Sequence, residues 1–436
     1  MARRSILFVG GRLPTRSETF VYRELFGLRA RGAKVLAASV HPPERDLGEA
    51  RLEALANGVI DIYGAGPARL VRDAVAQFAH RPFKTGATLL AALRDAVMEP
   101  DVRWWGRPKV LWQGLAGVAL ARRVEKEGIR HVHAHMAHVP TTIAMYCARQ
   151  LGVTFSFTGH AVDIFRLRAL LRVKLKRAAF VACISEWHRE FYRETAEMPD
   201  GSLPIVRCGV DVRKFAPSCD AESGEGGRIM AVGRLVPKKG FDVLIRAVAA
   251  LRAEGRAVRC VIAGDGPSRR ELMRLADELN VQDRVHFLGA LDNGEIRRRM
   301  EECDLFVLPC RVDASGDRDG IPVVLMEAMA CGRCAISGDL PAIRELIADG
   351  ETGLLVEPGS VGALAGAMRG ALDDHEERRR LGEAGRRRVC EEFALDVNVT
   401  RLWNALSFVF ADDGVDKPCR AADGSDGALP ADNMAA

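Results

Sequence analysis

The chain has 436 residues, too many for one ordinary hydrophobic core and enough for two domains of about 200 residues each. Hydrophobic residues make up 48% and charged residues 28%, a globular balance, and a net charge of +5 over this length gives no ground for a nucleic-acid partner. Eleven cysteines, an odd number without regular spacing, read as reduced thiols in the core. Met1-Ala-Arg-Arg precedes an apolar run of only Ile6 to Val9, too short for the roughly 7–15 residues of a secretory signal, and no uncharged stretch approaches the ~18–20 residues that span a bilayer. A cytoplasmic protein is expected.

Ser5 to Val9 reads as a strand, followed by a glycine-containing loop, Gly10-Gly11-Arg-Leu-Pro-Thr-Arg-Ser-Glu-Thr, that leads into a helix. Phe20, Val21, Leu25 and Leu28 recur there at helical spacing, Ser17 or Thr19 can cap the helix, and Gly32 ends it. With Lys34 to Val40 as a second strand, this is the opening βαβ unit of a doubly wound domain, its glycine loop at the carboxyl end of a strand, where ligands bind. The G-x-G-x-x-G spacing of a dinucleotide site is absent. Helical stripes follow at 67–79, 83–98 and 108–124, with Trp104 and Trp105 in a break between them, read as packed under a loop and not as an acceptor-stacking platform. Alternation in His131-Val-His-Ala-His places His131, His133 and His135 on one face of a strand. They could ligate a metal, but no acidic or thiol partner stands at ligand spacing, and no metal is expected. The strand Val153 to Thr158 ends at the polar turn Gly159-His160-Ala-Val-Asp163. Phe165 to Arg177 carries six basic residues and no acid between leucines, a pattern that suits either an anionic membrane surface or a solvated helix over the core. Val181 to Ser185 is a further strand end.

Ser218 to Gly227, rich in Gly, Ser and Glu, is the linker, and beyond it the pattern restarts. Strands are expected at Ile229 to Val232, Arg259 to Ala263, Val285 to Leu288, Leu305 to Leu308, Cys334 to Ser337 and Leu354 to Val356, with helices at 241–253, 268–279, 293–302, 341–348, 360–372, 376–392 and 396–411. Between Leu308 and Cys334 the chain reads Arg318-Asp-Gly-Ile-Pro-Val-Val-Leu-Met-Glu-Ala-Met-Ala-Cys-Gly332, a loop and then a buried helix. Asp319 and Glu327 stand one ahead of the helix and one about two turns inside it, so both can face a ligand over its N-terminus. That end of the helix favours negative charge while the carboxylates accept hydroxyl hydrogen bonds; a nucleotide sugar offers both kinds of group. Arg234 and Lys239, in the loop after the first strand of this half, suit a diphosphate as a fork of donors and a point charge. Asp317-Arg-Asp319 could instead hold a divalent ion, but two cationic side chains stand in place of the metal, and Cys331-Gly-Arg-Cys334 could serve a metal or redox function, but has no second pair nearby. From Asp412 onward the composition is that of a disordered tail.

Several of these phrases, in this order, resemble the retaining glycosyltransferases of family four over about residues 5 to 410. They are the acid-x7-acid of Asp319 and Glu327, Gly-Arg-Leu-x-x-x-Lys-Gly at 233–240, Ser-Phe-Thr-Gly-His-Ala-x-Asp around His160, His-x-His-Ala-His at 131–135, and Ile205 to Asp211, similar to the last strand before the domain change. The opening Leu-Pro-x-x-Ser-Glu-Thr-Phe-x-x-x-Glu resembles the exopolysaccharide branch, which includes colanic-acid-type transferases. The resemblance implies an α/β chain of two facing doubly wound, Rossmann-like domains, the GT-B architecture. An acceptor-binding domain would occupy 1–215 and a nucleotide-sugar-binding domain 216–395, with 396–411 crossing back to the first domain and 412–436 a tail. It implies hexosyl transfer from a nucleotide diphosphate sugar to a glycan or lipid-linked glycan with retained configuration, in exopolysaccharide or other cell-surface glycan synthesis.

By the same resemblance, His160 binds the donor sugar at the base of the cleft, Arg234 and Lys239 the pyrophosphate, and Glu327 the ribose hydroxyls. Asp319, with the backbone of Gly320, Ile321, Pro322 and Val323, would hold the donor sugar and diphosphate, although family members usually have Glu at that position. Gly11, Gly233, Gly264 and Gly266 would line the donor site, and Ser17, Glu18, Thr19 and His135 the acceptor side. No cofactor and no metal are implied, and the segment 165–177 stays open between a contact for the inner face of the cell membrane and a solvated helix face over the core. A sugar-nucleotide epimerase of the same architecture and a non-catalytic nucleotide-sugar-binding subunit are the alternatives.

Overall fold

The computed structural model describes residues 4–16, 18–160, 168–199, 201–217 and 227–411. Ser17, residues 161–167 after His160, the linker residues 218–226 and the tail from 412 lie outside the described residues.

The first half builds a parallel sheet from β1 (Ser5–Arg12), β2 (Lys34–His41), β3 (Ile60–Asp61), β4 (His131–His135), β5 (Thr154–Gly159) and β6 (Val181–Cys183), in the order β3-β2-β1-β4-β5-β6. Around it stand α1 (Thr19–Ala30), α2 (Ala50–Gly58), α3 (Gly66–His80), α4 (Pro82–Met98), α5 (Arg107–Val124) and α6 (Val139–Leu151). Ile6, Leu7, Phe8 and Val9 are all fully buried, because a parallel strand covered by helices on both faces needs a continuous apolar run. Strand order reverses between β1 and β4. Their carboxyl ends, where Gly11 and His135 lie, therefore form the crevice that such sheets offer to ligands.

The second half repeats the design with β7 (Gly227–Val232), β8 (Val258–Ala263), β9 (Val285–Gly289), β10 (Leu305–Leu308), β11 (Cys334–Gly338) and β12 (Leu354–Val356), in the order β12-β11-β10-β7-β8-β9. Its switch point falls between β7 and β10, whose loops carry Arg234, Lys239 and Asp319. Two glycines there have packing reasons. Gly264 takes φ +138°, and a Cβ on it would sit 1.9 Å from the Gly233 carbonyl oxygen; a Cβ on Gly266 would sit 2.5 Å from that of Leu235. Leu395–Ala411 packs against α1, where a Cβ on Gly27 would stand 2.7 Å from Val399.

Some sequence expectations are corrected. Ile205 to Asp211 forms only isolated bridges, Cys183 to Ile205 and Val210 to Ala394, and the helix expected at 341–348 is shortened to Pro341–Arg344. Helix α1 starts with Glu18 as its N-cap and has no side-chain cap, so Thr19 is its first turn and not its cap. Trp104 and Trp105 are 74% and 53% exposed, not packed under a loop. In the described part of the basic segment, Leu170, Leu171 and Leu175 are buried in the core, and Lys174 donates to the carbonyls of Ala137, His138 and Ala169 at 2.6, 3.1 and 2.8 Å. These leucines face protein, so Leu171–Arg177 is a helix laid over the core whose leucines are not offered to a membrane. Eight of the nine described cysteines are buried and all nine are free, Cys331 and Cys334 among them.

Candidate active site

The loop between β10 and the helix Val323–Ala330 brings acids and cations together. Lys239 Nζ lies 2.7 Å from Asp319 Oδ2, and Lys238 Nζ lies 3.3 Å from both Asp319 Oδ1 and Asp317 Oδ2. The Asp-x-Asp pair thus already holds an ammonium group between its carboxylates. Burial alone would lift the Asp319 carboxyl, yet Lys239 and Lys238 together hold it below the usual range. Burial likewise opposes charge on Lys239, and Asp319 with the neighbouring Cys310 outweighs it and raises the amine. The backbone amides of Gly320, Ile321 and Val323 donate to no described acceptor, leaving a nest of N–H donors at the helix N-terminus. Arg234 is exposed and makes no side-chain hydrogen bond or ion pair with a described residue, so of the two expected phosphate ligands one is held in place and one is free to swing. Gly233 packs against the Lys239 side chain, and a Cβ there would stand 3.6 Å from Lys239 Cε.

Glu327, 6% exposed, is met from the other domain. Arg23 of α1 donates from both Nη1 and Nη2 to its Oε1 at 3.2 Å. Burial pushes the Glu327 carboxyl above its usual range and Arg23 pulls it back. Beside this pair a cavity of about 700 Å³ opens between α1 and the helix Asn293–Glu302, with Tyr22, Arg23, Arg51, Arg213, Asn293 and Arg297 in its wall.

One residue further along α1, Glu24 turns into the first sheet. Its Oε2 lies 3.1 Å from His135 Nε2, and His135 Nδ1 lies 3.3 Å from His160 Nε2. Below them His133 spans Ser156 and Thr158 at 2.8 and 3.1 Å, and His131 spans Thr154 and Ser156 at 2.8 and 2.7 Å. The three histidines share one face, as alternation requires, and β5 supplies hydroxyls at the matching period of two. Glu24, His133 and His135 bring ligand atoms within 4.8 Å of one another, but both nitrogens of His133 already face hydroxyls. His135 has no exposed surface and is not available to an acceptor in this arrangement; it supports His160, which is 8% exposed and packs against Phe20 at 4.7 Å between ring centroids. Burial first, then His135, His188 and His138, holds the His160 imidazole well below its usual value, so it is neutral near pH 7. Glu18 and Thr19 stand half-buried at the start of α1, and Gly11 has space before it, a Cβ meeting only Pro140 at 3.9 Å.

Sequence reasoning missed Arg23, Glu24 and Lys238 as site residues. Glu24 had a signal, as the last residue of the phrase Leu-Pro-x-x-Ser-Glu-Thr-Phe-x-x-x-Glu and a carboxylate one turn from Phe20 on an otherwise apolar face; Arg23 had none.

The family model described as Glycosyltransferase Family 4 matches residues 17–214, and the one described as Glycosyl transferases group 1 matches residues 220–388. The GDP-mannose-dependent alpha-(1-6)-phosphatidylinositol monomannoside mannosyltransferase of Mycolicibacterium smegmatis is 31% identical over 287 residues, which cover 62% of this chain and 75% of that protein. The chain belongs to glycosyltransferase family four. Within the family it is also similar to the exopolysaccharide branch: the putative colanic acid biosynthesis glycosyltransferase WcaL of Salmonella typhimurium is 33% identical over 196 residues, 45% of this chain and 48% of that one. The GT-B fold is shared with a sucrose-phosphate synthase from Thermosynechococcus elongatus, at a TM-score of 0.72 and 20% identity over 94% of this chain and 100% of that one. As a family-four glycosyltransferase, the chain joins through the Arg23–Glu327 contact the helices that follow β1 and β10, one strand from each sheet's switch point.

Proposed function

We propose that this glycosyltransferase moves a hexosyl group from a nucleotide diphosphate sugar to a hydroxyl of a glycan or lipid-linked glycan, with retained anomeric configuration, in exopolysaccharide or other cell-surface glycan synthesis. The observation that carries the reading is the pair Lys238 and Lys239 closing on Asp319 beside the free amides of Gly320, Ile321 and Val323. A diphosphate suits that nest, and as the bond from the anomeric carbon to its oxygen breaks, the growing charge falls to Lys239 and Arg234. The acceptor oxygen bonds to the anomeric carbon on the face the diphosphate leaves, and its proton passes to a diphosphate oxygen. No enzymatic nucleophile is needed. Glu327 accepts from the ribose hydroxyls once Arg23 yields it, which couples donor binding to the first domain. Neutral His160 hydrogen-bonds the sugar. The likeness to a GDP-mannose-dependent mannosyltransferase and to a putative colanic acid biosynthesis glycosyltransferase supports a nucleotide-sugar donor and a polysaccharide product.

A thermal-shift panel of UDP-, GDP- and ADP-sugars followed by turnover with acceptor tests the proposal; product from donor alone would instead indicate an epimerase, and binding without turnover a silent subunit. Because Lys238 occupies the place a divalent ion would take between Asp317 and Asp319, a chelator should leave the rate unchanged. Activity lost to the chelator and restored by Mg or Mn would contradict this. Glu327→Gln keeps the shape but removes the charge-assisted ribose hydrogen bond, and should raise the donor KM about tenfold with little change in kcat. An unchanged KM would remove the ribose assignment.

A further inference from the structure

Helix α4 is amphipathic in the wrong sense for a soluble surface. Its buried face is Thr85, Thr88, Ala92, Asp95 and Ala96, while Phe83, Leu90, Leu93, Val97 and Met98 face outward, Phe83 at 93% and Met98 at 71% exposure. The inner polar groups are fixed there. Asp95 accepts two hydrogen bonds from Arg177 at 2.6 and 2.7 Å and one from the Tyr146 hydroxyl at 2.8 Å, and Thr85 accepts from Gln150 at 3.0 Å. Rolling the helix over to bury the leucines would strand those groups, so the apolar stripe is held outward by the packing beneath it. On the adjoining α3, Val71, Val75 and Phe78 repeat the pattern at i, i+4 and i+7. Beyond α4, Trp104, Trp105 and Trp112 are exposed too. Twelve of the fifteen large exposed hydrophobics among the described residues fall between Val71 and Trp112, which makes this one surface and not scattered side chains.

Exposed cations are set among them, Arg94, Arg103, Arg107 and Lys109, while Arg81 is paired with Glu125 at 2.8 Å and Arg72 lies 3.8 Å from Asp73. The acids of the region are mostly engaged, Asp73 by Arg123, Asp95 by Arg177 and Asp101 by the Leu171 amide. We propose that α3, α4 and the start of α5 form a docking face for an anionic phospholipid bilayer, with the aliphatic side chains among the acyl chains, the tryptophans at headgroup level and the arginines on the phosphates. A second copy of this chain fits less well, because a two-fold contact would press the cations against themselves. No described helix is long and apolar enough to cross a membrane, so the contact is peripheral. This replaces the basic segment 168–177, whose leucines are buried, as the membrane-facing element.

The proposal stands apart from the transferase reading, since it is tested with no substrate present. The full chain is floated with vesicles of phosphatidylcholine alone and of phosphatidylcholine mixed with phosphatidylglycerol. It should rise with the mixed vesicles, with a blue shift in tryptophan emission. The triple variant Phe83→Ser, Leu90→Ser, Met98→Ser should stay at the bottom with an unchanged melting temperature. Arg94→Gln with Lys109→Gln, which alters no apolar residue, should weaken binding about fivefold for each cation. The proposal is overturned if the wild type ignores both vesicle types, if the triple variant floats as the wild type does, or if sedimentation shows a wild-type dimer that the triple variant dissolves while vesicle binding is absent.

Discussion

Replacing Lys239 with alanine should slow transfer about a hundredfold, a loss of ~3 kcal/mol of transition-state stabilisation. The figure is large because the amine is 14% exposed and sits 2.7 Å from Asp319, in a place where water screens little of its field. The fold should survive, since Asp319 keeps Lys238 at 3.3 Å and is not left as an unpaired buried charge. Arg234 is exposed and without a side-chain partner among the described residues, so in the proposed reaction part of its attraction is spent on ordering its side chain, and Arg234→Ala should cost less than Lys239→Ala. Steady-state rates at saturating donor and acceptor decide the matter: turnover of Lys239→Ala within a few-fold of wild type would remove this lysine from the chemistry.

Much of the architecture was legible because parallel strands buried on both faces write themselves as short apolar runs, and the helices between them carry a period that strands cannot. The restart after residue 227 and the loops at the ends of β7 and β10 followed from that alternation. What escaped has physical reasons. Ile205 to Val210 is apolar like a strand, but only bridges hold it, since edge pairing depends on what lies alongside and not on the segment itself. The Arg23–Glu327 pair joins residues 304 apart in sequence, and nothing local marks an arginine on α1 as belonging to the second domain's acid. The leucines of 170–175 and the outward leucines of α4 have similar periodicities; periodicity finds a stripe but does not say whether protein or solvent meets it. That is why one segment looked like a membrane contact and the exposed one was taken for ordinary helix.

Lowering the pH from 7.5 to 5.5 should destabilise the protein by about 5 kcal/mol through four histidines that folding holds neutral, and further through His138, which burial first and then Lys174 and His41 lower to about 4. Burial depresses His131 and His188 to about 3, and burial with neighbouring histidines takes His133 and His160 well below the usual value. In the unfolded chain all four titrate near ~6.5. A lowered folded value means that the unfolded state binds protons first as acid is added. Stability from these groups is therefore complete above about pH 6.5 and falls as pH drops below it, by about 1.4 kcal/mol per pH unit for each histidine until the folded values are reached. One unit below the unfolded value the four together reach about 5 kcal/mol, comparable with the ~5–15 kcal/mol that holds a typical domain. The charge has nowhere favourable to go: His131 lies under Phe180, its ring stacked at 6.0 Å, with only the hydroxyls of Thr154 and Ser156 as partners. Urea unfolding at a series of pH values reads the slope directly, and His131→Gln separates this cause from protonation of paired carboxylates, because it should remove about one proton's share of the slope and leave the rest. A stability that is flat between pH 7.5 and 5.5 would mean that these histidines accept protons in the folded state and would count against the neutral His160 proposed above, and a slope unmoved by His131→Gln would take His131 out of the cause.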